Sequence, residues 1–309
     1  MSLDEELAGL APAKGTVLTV GVFDGVHLGH KRLLSELIRQ AKGYGLISGV
    51  VTFRQHPQRL FHPESSPPLL TSLTQRIRLF KDEGVEVVIP LSFTLELVQT
   101  GARQFIELLQ KYLKMRRLVL GPDATLGRNQ EGNVAALRQL SQGMNFELTI
   151  VPQVKIDGEV VSSTAIRRAL AEGNIEKANR MLGRYFSIEG SIVSGAGRGT
   201  RLGFPTANLE MEPERALPSD GIYASWAYTG ERRYRSVTNI GVRPTFGEVD
   251  RIVELHIIDF EGDLYRQRVK IDIIHRLRDE KRFSTTDALQ EQMRNDIRQA
   301  VSILNGKDR

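Results

Sequence analysis

The sequence predicts two domains of different class. The first is an α/β domain on a parallel sheet with helices on both faces, and the second is an antiparallel β-barrel with a C-terminal helix. Three observations carry this. Apolar strands alternate with helical patterns through the first half. After about Gly183 the texture turns to short β-branched and aromatic runs between tight turns. The length of 309 residues is too great for one comfortable core and suits two. The boundary is placed accordingly, with domains 1–183 and 184–309.

The elements follow in order. Residues 16–23 (TVLTVGVF) form a buried strand, and Leu33, Leu34, Leu37, Ile38 and Ala41 then recur at helical spacing. Strands at 46–53 and 85–91 follow. A helix carries Phe105, Ile106, Leu108, Leu109, Tyr112 and Leu113, and another strand lies at 117–121. A helix over about 132–142 leads to a strand at 146–152. Asp157-Gly158 inside VKIDGEVV signals a hairpin turn. The barrel strands are read at 187–195, 221–228, 234–241, 252–260 and 269–277. The tail, 284–304, is a capped helix with a stripe through Leu289, Met293, Ile297 and Val301.

Composition narrows the function. The chain is 40% hydrophobic and 26% charged, as in soluble globular proteins, and no apolar run approaches the ~20 residues that span a bilayer. It contains no cysteine, which excludes thiolate chemistry and fits a cytoplasmic setting. The N-terminus, MSLDEELAGLAPAKG, lacks the basic start and apolar block of a signal peptide. The net charge of +5 suits anionic small molecules. The basic residues are dispersed, so neither nucleic acid nor membrane is expected as a partner.

Within 21–34, GVFDGVHLGHKRLL, His27 and His30 fall where a strand ends and a helix begins. Gly21, Gly25 and Gly29 permit a sharp turn and close backbone approach. The helix N-terminus offers free N–H groups and partial positive charge, an anion site. His30, Lys31 and Arg32 sit in that first turn against the dipole, so they need a negative partner, and a phosphate chain provides one. The plainer alternative is a turn with two surface histidines. A zinc site lacks further ligands at suitable spacing, and no GxxxxGK[ST] loop is present.

Other stretches bear on the same chemistry. In 161–170, VSSTAIRRAL, a hydroxyl residue caps a helix whose first turn holds Arg167 and Arg168. Residues 118–133 run from a strand into a glycine-rich loop. Residues 195–209, GAGRGTRLGFPTANL, alternate glycines before a hydroxyl and an amide two residues apart, Thr206 and Asn208. On an extended segment these point to one side and suit Mg²⁺ and its phosphates. In 251–267, alternation sets Glu254 and His256 on the face opposite Val253, Leu255 and Ile257. A carboxylate there is either solvated or a base.

These motifs together resemble a known family. FDGVHLGH is similar to the HxGH motif of nucleotidylyltransferases, and more narrowly to that of the bacterial bifunctional riboflavin kinase/FAD synthetases. SSTAIR resembles that family's SSTxIR, GRGTRLGFPTAN its kinase motif, and 251–265 its RxLExHLLDFxGDLY. Segments 217–224, 239–247 and 277–283 match as well. The resemblance implies a Rossmann-like nucleotidylyltransferase domain followed by a riboflavin kinase barrel. It implies riboflavin, FMN and ATP as substrates, FAD as product and Mg²⁺ as cofactor.

By that resemblance, ATP and its phosphates in the first domain meet Gly21, Phe23, Asp24, Gly25, His27, Gly29, His30, Asp123, Ser163, Thr164 and Arg167. In the second they meet Gly195, Gly197, Arg198, Gly199, Thr200 and Gly203, with Thr206 and Asn208 holding the metal and Glu254 as catalytic base. His56, Pro57, Arg278 and Phe283 border the flavin. The chain departs from the family pattern at Gln55, where proline is usual, at Ala124 and Leu126, where aromatics are usual, and at Arg266. Two alternatives stay open: a kinase with an inactive adenylyl half, and a non-catalytic flavin- or RNA-binding regulator.

Overall fold

The computed structural model describes residues 3–61, 66–194, 199, 202–212, 214–244 and 249–307. Contacts divide the chain into two compact units, Met1–Ser163 and Thr164–Arg309.

The first unit is built on five parallel strands, β1 (Thr16–Val20), β2 (Ile47–Phe53), β3 (Val87–Leu91), β4 (Met115–Leu120) and β5 (Glu147–Ile150). Their order is β3-β2-β1-β4-β5. Every residue of β1 is buried, because a central strand is covered on both faces. Leu18, Val51 and Leu118 pack on one face with Phe105 and Leu109, while Val17, Val50 and Val119 pack on the other with Leu34, Leu37 and Phe80. The chain order reverses at β1 and β4, so a crevice opens at their carboxyl ends, where ligands bind in such sheets.

Two local features follow from simple rules. Asp157 (φ 52°) and Gly158 (φ 81°) form the turn between β6 (Lys155–Ile156) and β7 (Glu159–Val160), as the Asp-Gly pair predicts. The acidic N-terminus forms a helix, Leu3–Ala8, that the sequence reading did not anticipate. Leu3 and Leu7, one turn apart, are buried, and the Glu6 carboxylate accepts from the Ser92 N–H and hydroxyl at 3.1 Å.

The second unit opens with the helices Ser163–Ala171, all but its first residue, and Ile175–Leu182. The Asn179 amide donates to the Ile273 carbonyl at 3.0 Å and accepts from Phe186 N–H at 2.7 Å, which ties the second helix to the barrel. The contact division thus falls before these helices, whereas the sequence reading set its boundary after them, at 183/184.

The barrel strands are β8 (Phe186–Val193), β9 (Ala207–Met211), β10 (Gly221–Thr229), β11 (Arg232–Pro244), β12 (Val249–Ile257) and β13 (Arg268–Arg278). They close in the order β10-β11-β12-β9-β8-β13, antiparallel throughout. Val253, Leu255 and Ile257 are buried, as the alternation predicts. Three fully buried hydroxyls, Ser225, Ser236 and Thr238, satisfy one another at 2.7 Å. The terminal helix Thr286–Asn305 is capped by the Thr285 hydroxyl and covers Ala224, Trp226 and Ile274 with Ala300 and Leu304. Its most buried residues are Asp296, Ala300 and Leu304, one side of the expected stripe.

Candidate active sites

In the first unit the loop 21–27 joins β1 to the helix Leu28–Tyr44. Phe23 (φ 53°), Gly25 (φ 84°) and Val26 (φ 38°) all lie in the left-handed region. For the two non-glycines this costs about 1–3 kcal/mol each, and such strain concentrates at functional sites. Asp24 holds the loop in place. Its buried carboxylate accepts from Leu70 N–H (2.9 Å), Thr71 N–H (3.0 Å) and the Thr71 hydroxyl (3.0 Å), and Gly25 N–H donates to that hydroxyl (2.9 Å). The Ser163 hydroxyl donates to the Asp24 carbonyl at 2.8 Å. Asp24 is thus engaged as an internal brace.

His27 caps the helix, its Nδ1 accepting from His30 N–H at 3.3 Å. The two rings stack at 3.6 Å and 18°, and His30 meets Phe23 edge-on at 5.1 Å. A Cβ on Gly29 would lie 3.1 Å from the His27 ring and one on Gly21 3.1 Å from the Phe23 ring, so these glycines also make room for the ring cluster.

The expectation that the first-turn cations require a phosphate partner is corrected. Lys31 pairs with Glu83 at 2.7 Å. Arg32 lies near Glu36, whose carboxyl is held down at about 2 by the Arg39 hydrogen bond first and by the Arg32 charge to a lesser degree. The case for an anion site rests instead on the histidine pair at a helix N-terminus.

Sequence reasoning missed Arg76. It is fully buried on the helix Leu73–Asp82, whose start is fixed by a Ser72–Gln75 capping box. Its guanidinium donates to the carbonyls of Val22 and Phe53 and to the Thr52 hydroxyl, at the carboxyl ends of β1 and β2. The available signal was its place one turn before Phe80, on the buried face.

The remaining candidates of this half are scattered. Asp123 accepts from the Gln153 side chain. Ala124 and Leu126, the departures from the family pattern, pack into the core. The His56 Nδ1 accepts from Gln58 N–H at 3.3 Å beside the short helix Pro57–Phe61, where Leu60 and Phe61 are exposed. Thr164 and Arg167 follow Ser163 on its helix and belong to the second unit.

In the second unit a cavity of about 380 Å³ lies between the outer face of the barrel and the terminal helix. Its polar wall is Thr206, Asn208, Asn239, Glu254, His256, Arg278 and Asp296, and its apolar wall includes Ile222, Val237, Ile252, Leu289, Met293 and Ile297. Glu254 pairs across the sheet with Asn208 on β9 and Asn239 on β11. The hydroxyl, amide and carboxylate are hard oxygen donors, the set that Mg²⁺ takes. Gly199 closes over them: Leu202 N–H and Phe204 N–H donate to its carbonyl at 3.0 and 2.9 Å, and a Cβ there would press on the Phe204 carbonyl and the Thr206 hydroxyl. Gly203 turns the loop at φ 82°. Gly195, Gly197, Arg198 and Thr200 lie outside the described residues.

Arg278 makes a two-pronged ion pair with Asp296, Nε to Oδ1 at 2.9 Å and a terminal nitrogen to Oδ2 at 2.7 Å, and its other terminal nitrogen donates to the Asp279 carbonyl at 2.8 Å. Each of its three nitrogens therefore has a partner within the protein, and its guanidinium carbon lies 5.8 Å from the Phe283 ring centroid. Glu280 stands nearby. Burial first, then the charge of Asp220, raises its carboxyl above the usual range, against a hydrogen bond from Asn239.

A family model described as FAD synthetase matches residues 10–165, and one described as riboflavin kinase matches 182–304. A bifunctional riboflavin kinase/FMN adenylyltransferase of Escherichia coli (strain K12) is 35% identical over 288 residues, 93% of this chain and 92% of its own. The chain belongs to this family. A Pseudomonas fluorescens member is 35% identical over 306 residues, 98% of each chain. A solved Streptococcus pneumoniae protein, named there a macrolide-efflux protein, superposes with a TM-score of 0.86 and 29% identity, covering 94% of this chain and 95% of that one. Among the described residues here, no helix is long and apolar enough to cross a membrane. The two family matches fall in the order of the two sites, histidine pair first and Glu254 cavity second.

Proposed function

We propose that the chain makes FMN from riboflavin in the barrel and FAD from FMN in the parallel-sheet half, with ATP as donor in both. The observation that carries this is the pairing of Glu254 with Asn208, two residues from Thr206, in the wall of one cavity. Glu254 takes the proton of the ribityl 5′-hydroxyl. That oxygen bonds to the γ-phosphorus of ATP as the bond to the β-phosphate breaks and ADP leaves. Thr206 and Asn208 would hold Mg²⁺, which would supply neutralisation of charge on the phosphates.

In the first half an oxygen of the FMN phosphate, already an anion at neutral pH, bonds to the α-phosphorus of ATP and pyrophosphate leaves. No strong base is needed. His27, His30 and Ser163, with the helix N–H groups, orient the phosphates and stabilise their charge. Asp24 and Arg76 brace the loop. The functional halves divide at 183/184, and the setting is cytoplasmic, as the absence of cysteine and the soluble substrates suggest.

Chromatography of the products from riboflavin and MgATP tests the reading. FMN with FAD supports both sites. FMN alone leaves only the barrel assignment standing, and neither product overturns the proposal.

A further inference from the structure

We propose that His256 is a positioning residue of the barrel site, tethering Pro205 so that Thr206 and Asn208 stay opposite Glu254. This rests on the kinase reading of the cavity.

The pairing of β9 with β12 among the described residues consists of Glu254↔Asn208 and Leu255↔Ala207, and it stops there. Thr206 and Pro205 lie beyond the ladder, and proline has no N–H with which to extend it. The Pro205 carbonyl is a backbone acceptor that the ladder leaves behind. His256 supplies the missing bond. It stands two residues from Glu254 on the same face of β12, and its Nδ1 lies 2.8 Å from the Pro205 carbonyl oxygen. A carbonyl can only accept, so Nδ1 carries the proton and Nε2 is the acceptor of the neutral ring.

Phe204 adds an edge-on ring contact to His256 at 6.0 Å. On the other side, the Gly199 carbonyl accepts from Phe204 N–H at 2.9 Å. Residues 204–206 are thus held between the glycine turn and the imidazole. Without the imidazole, the two ladder pairs would be the backbone link between β12 and this segment among the described residues.

The test compares H256A, H256N and H256Q, because an asparagine amide stands in for Nδ1 and a glutamine amide for Nε2. H256A is expected to raise KM for MgATP in riboflavin phosphorylation about tenfold, the loss of one good hydrogen bond. H256N is expected to recover most of that loss, and H256Q to behave like H256A. An H256A protein with parental KM, or rescue by H256Q and not H256N, overturns the proposal. Nitrogen-15 NMR of the parent imidazole is independent of catalysis: the Nδ1–H tautomer supports the tether and the Nε2–H tautomer overturns it, even if H256A fails to fold. A parent that makes no FMN would defeat the kinase reading, while the tautomer would still decide the tether.

Discussion

Glu254 on β12 lies directly between Asn208 on β9 and Asn239 on β11. Cross-strand partners have Cβ atoms roughly 5 Å apart, so a carboxylate and an amide oxygen share one substrate's reach by register alone. Replacing Glu254 with glutamine keeps the shape and removes the proposed base. FMN formation is expected to fall about 100-fold or more, while FAD formation from supplied FMN is unchanged. Single-turnover assays of each step decide it.

The histidine pair predicts the reverse pattern. His30→Ala is expected to cut FAD formation about 100-fold and spare FMN formation. His27 also caps its helix, so His27→Ala is expected to cost about 1 kcal/mol of stability as well as activity. His27→Asn keeps a capping oxygen and should lose activity at near-parental Tm.

Arg76 predicts a coupling of stability to adenylyl transfer. Arg76→Met leaves the Val22 and Phe53 carbonyls without their charged donor. Denaturant melts of the variant are expected to show a loss of about 3 kcal/mol or more. Arg76→Lys should not rescue it, since a single ammonium does not reproduce the planar fork.

The pair Arg278–Asp296, with Asp296 4% exposed, is expected to matter to folding more than to flavin contact. Asp296→Asn leaves a buried guanidinium short of its counter-charge, at a cost of about 3–5 kcal/mol. Thermal melts should show the barrel transition moving down before any change in riboflavin affinity is measurable at low temperature.

Glu280 gives a pH-dependent prediction. Its folded-state pKa is raised, so its ionised form is disfavoured in the fold. The penalty is present above the folded value and absent below the ordinary carboxylate range. Glu280→Gln is expected to raise Tm at pH 7 and to leave it unchanged near pH 4. A stabilisation independent of pH would contradict this.

Much of the architecture was legible. The central strands of the parallel sheet are fully apolar runs, and the barrel strands alternate cleanly, so both periods stand out of the sequence. Strand β9 does not stand out of the sequence, because a proline precedes it and it runs for only five residues. Arg76 and Asp296 were missed for one reason: charge reads as surface, and their partners are distant in sequence, Val22 and Phe53 for one and Arg278 for the other. The motif around Asp24 points it toward the phosphates, yet its carboxylate oxygens face the backbone of Leu70 and Thr71. Lys31 likewise found Glu83, which no local pattern announces.

The barrel has a seam. Strand β10 is stitched to β11 through nine residue pairs, whereas β9 meets β12 through two among the described residues. The cylinder is therefore weakest at the proposed site, and thermal breathing should part that seam first. Amide protons of Ala207 and Leu255 would exchange earliest in the wall, and a nucleotide clasped there would act as the stitch that closes it.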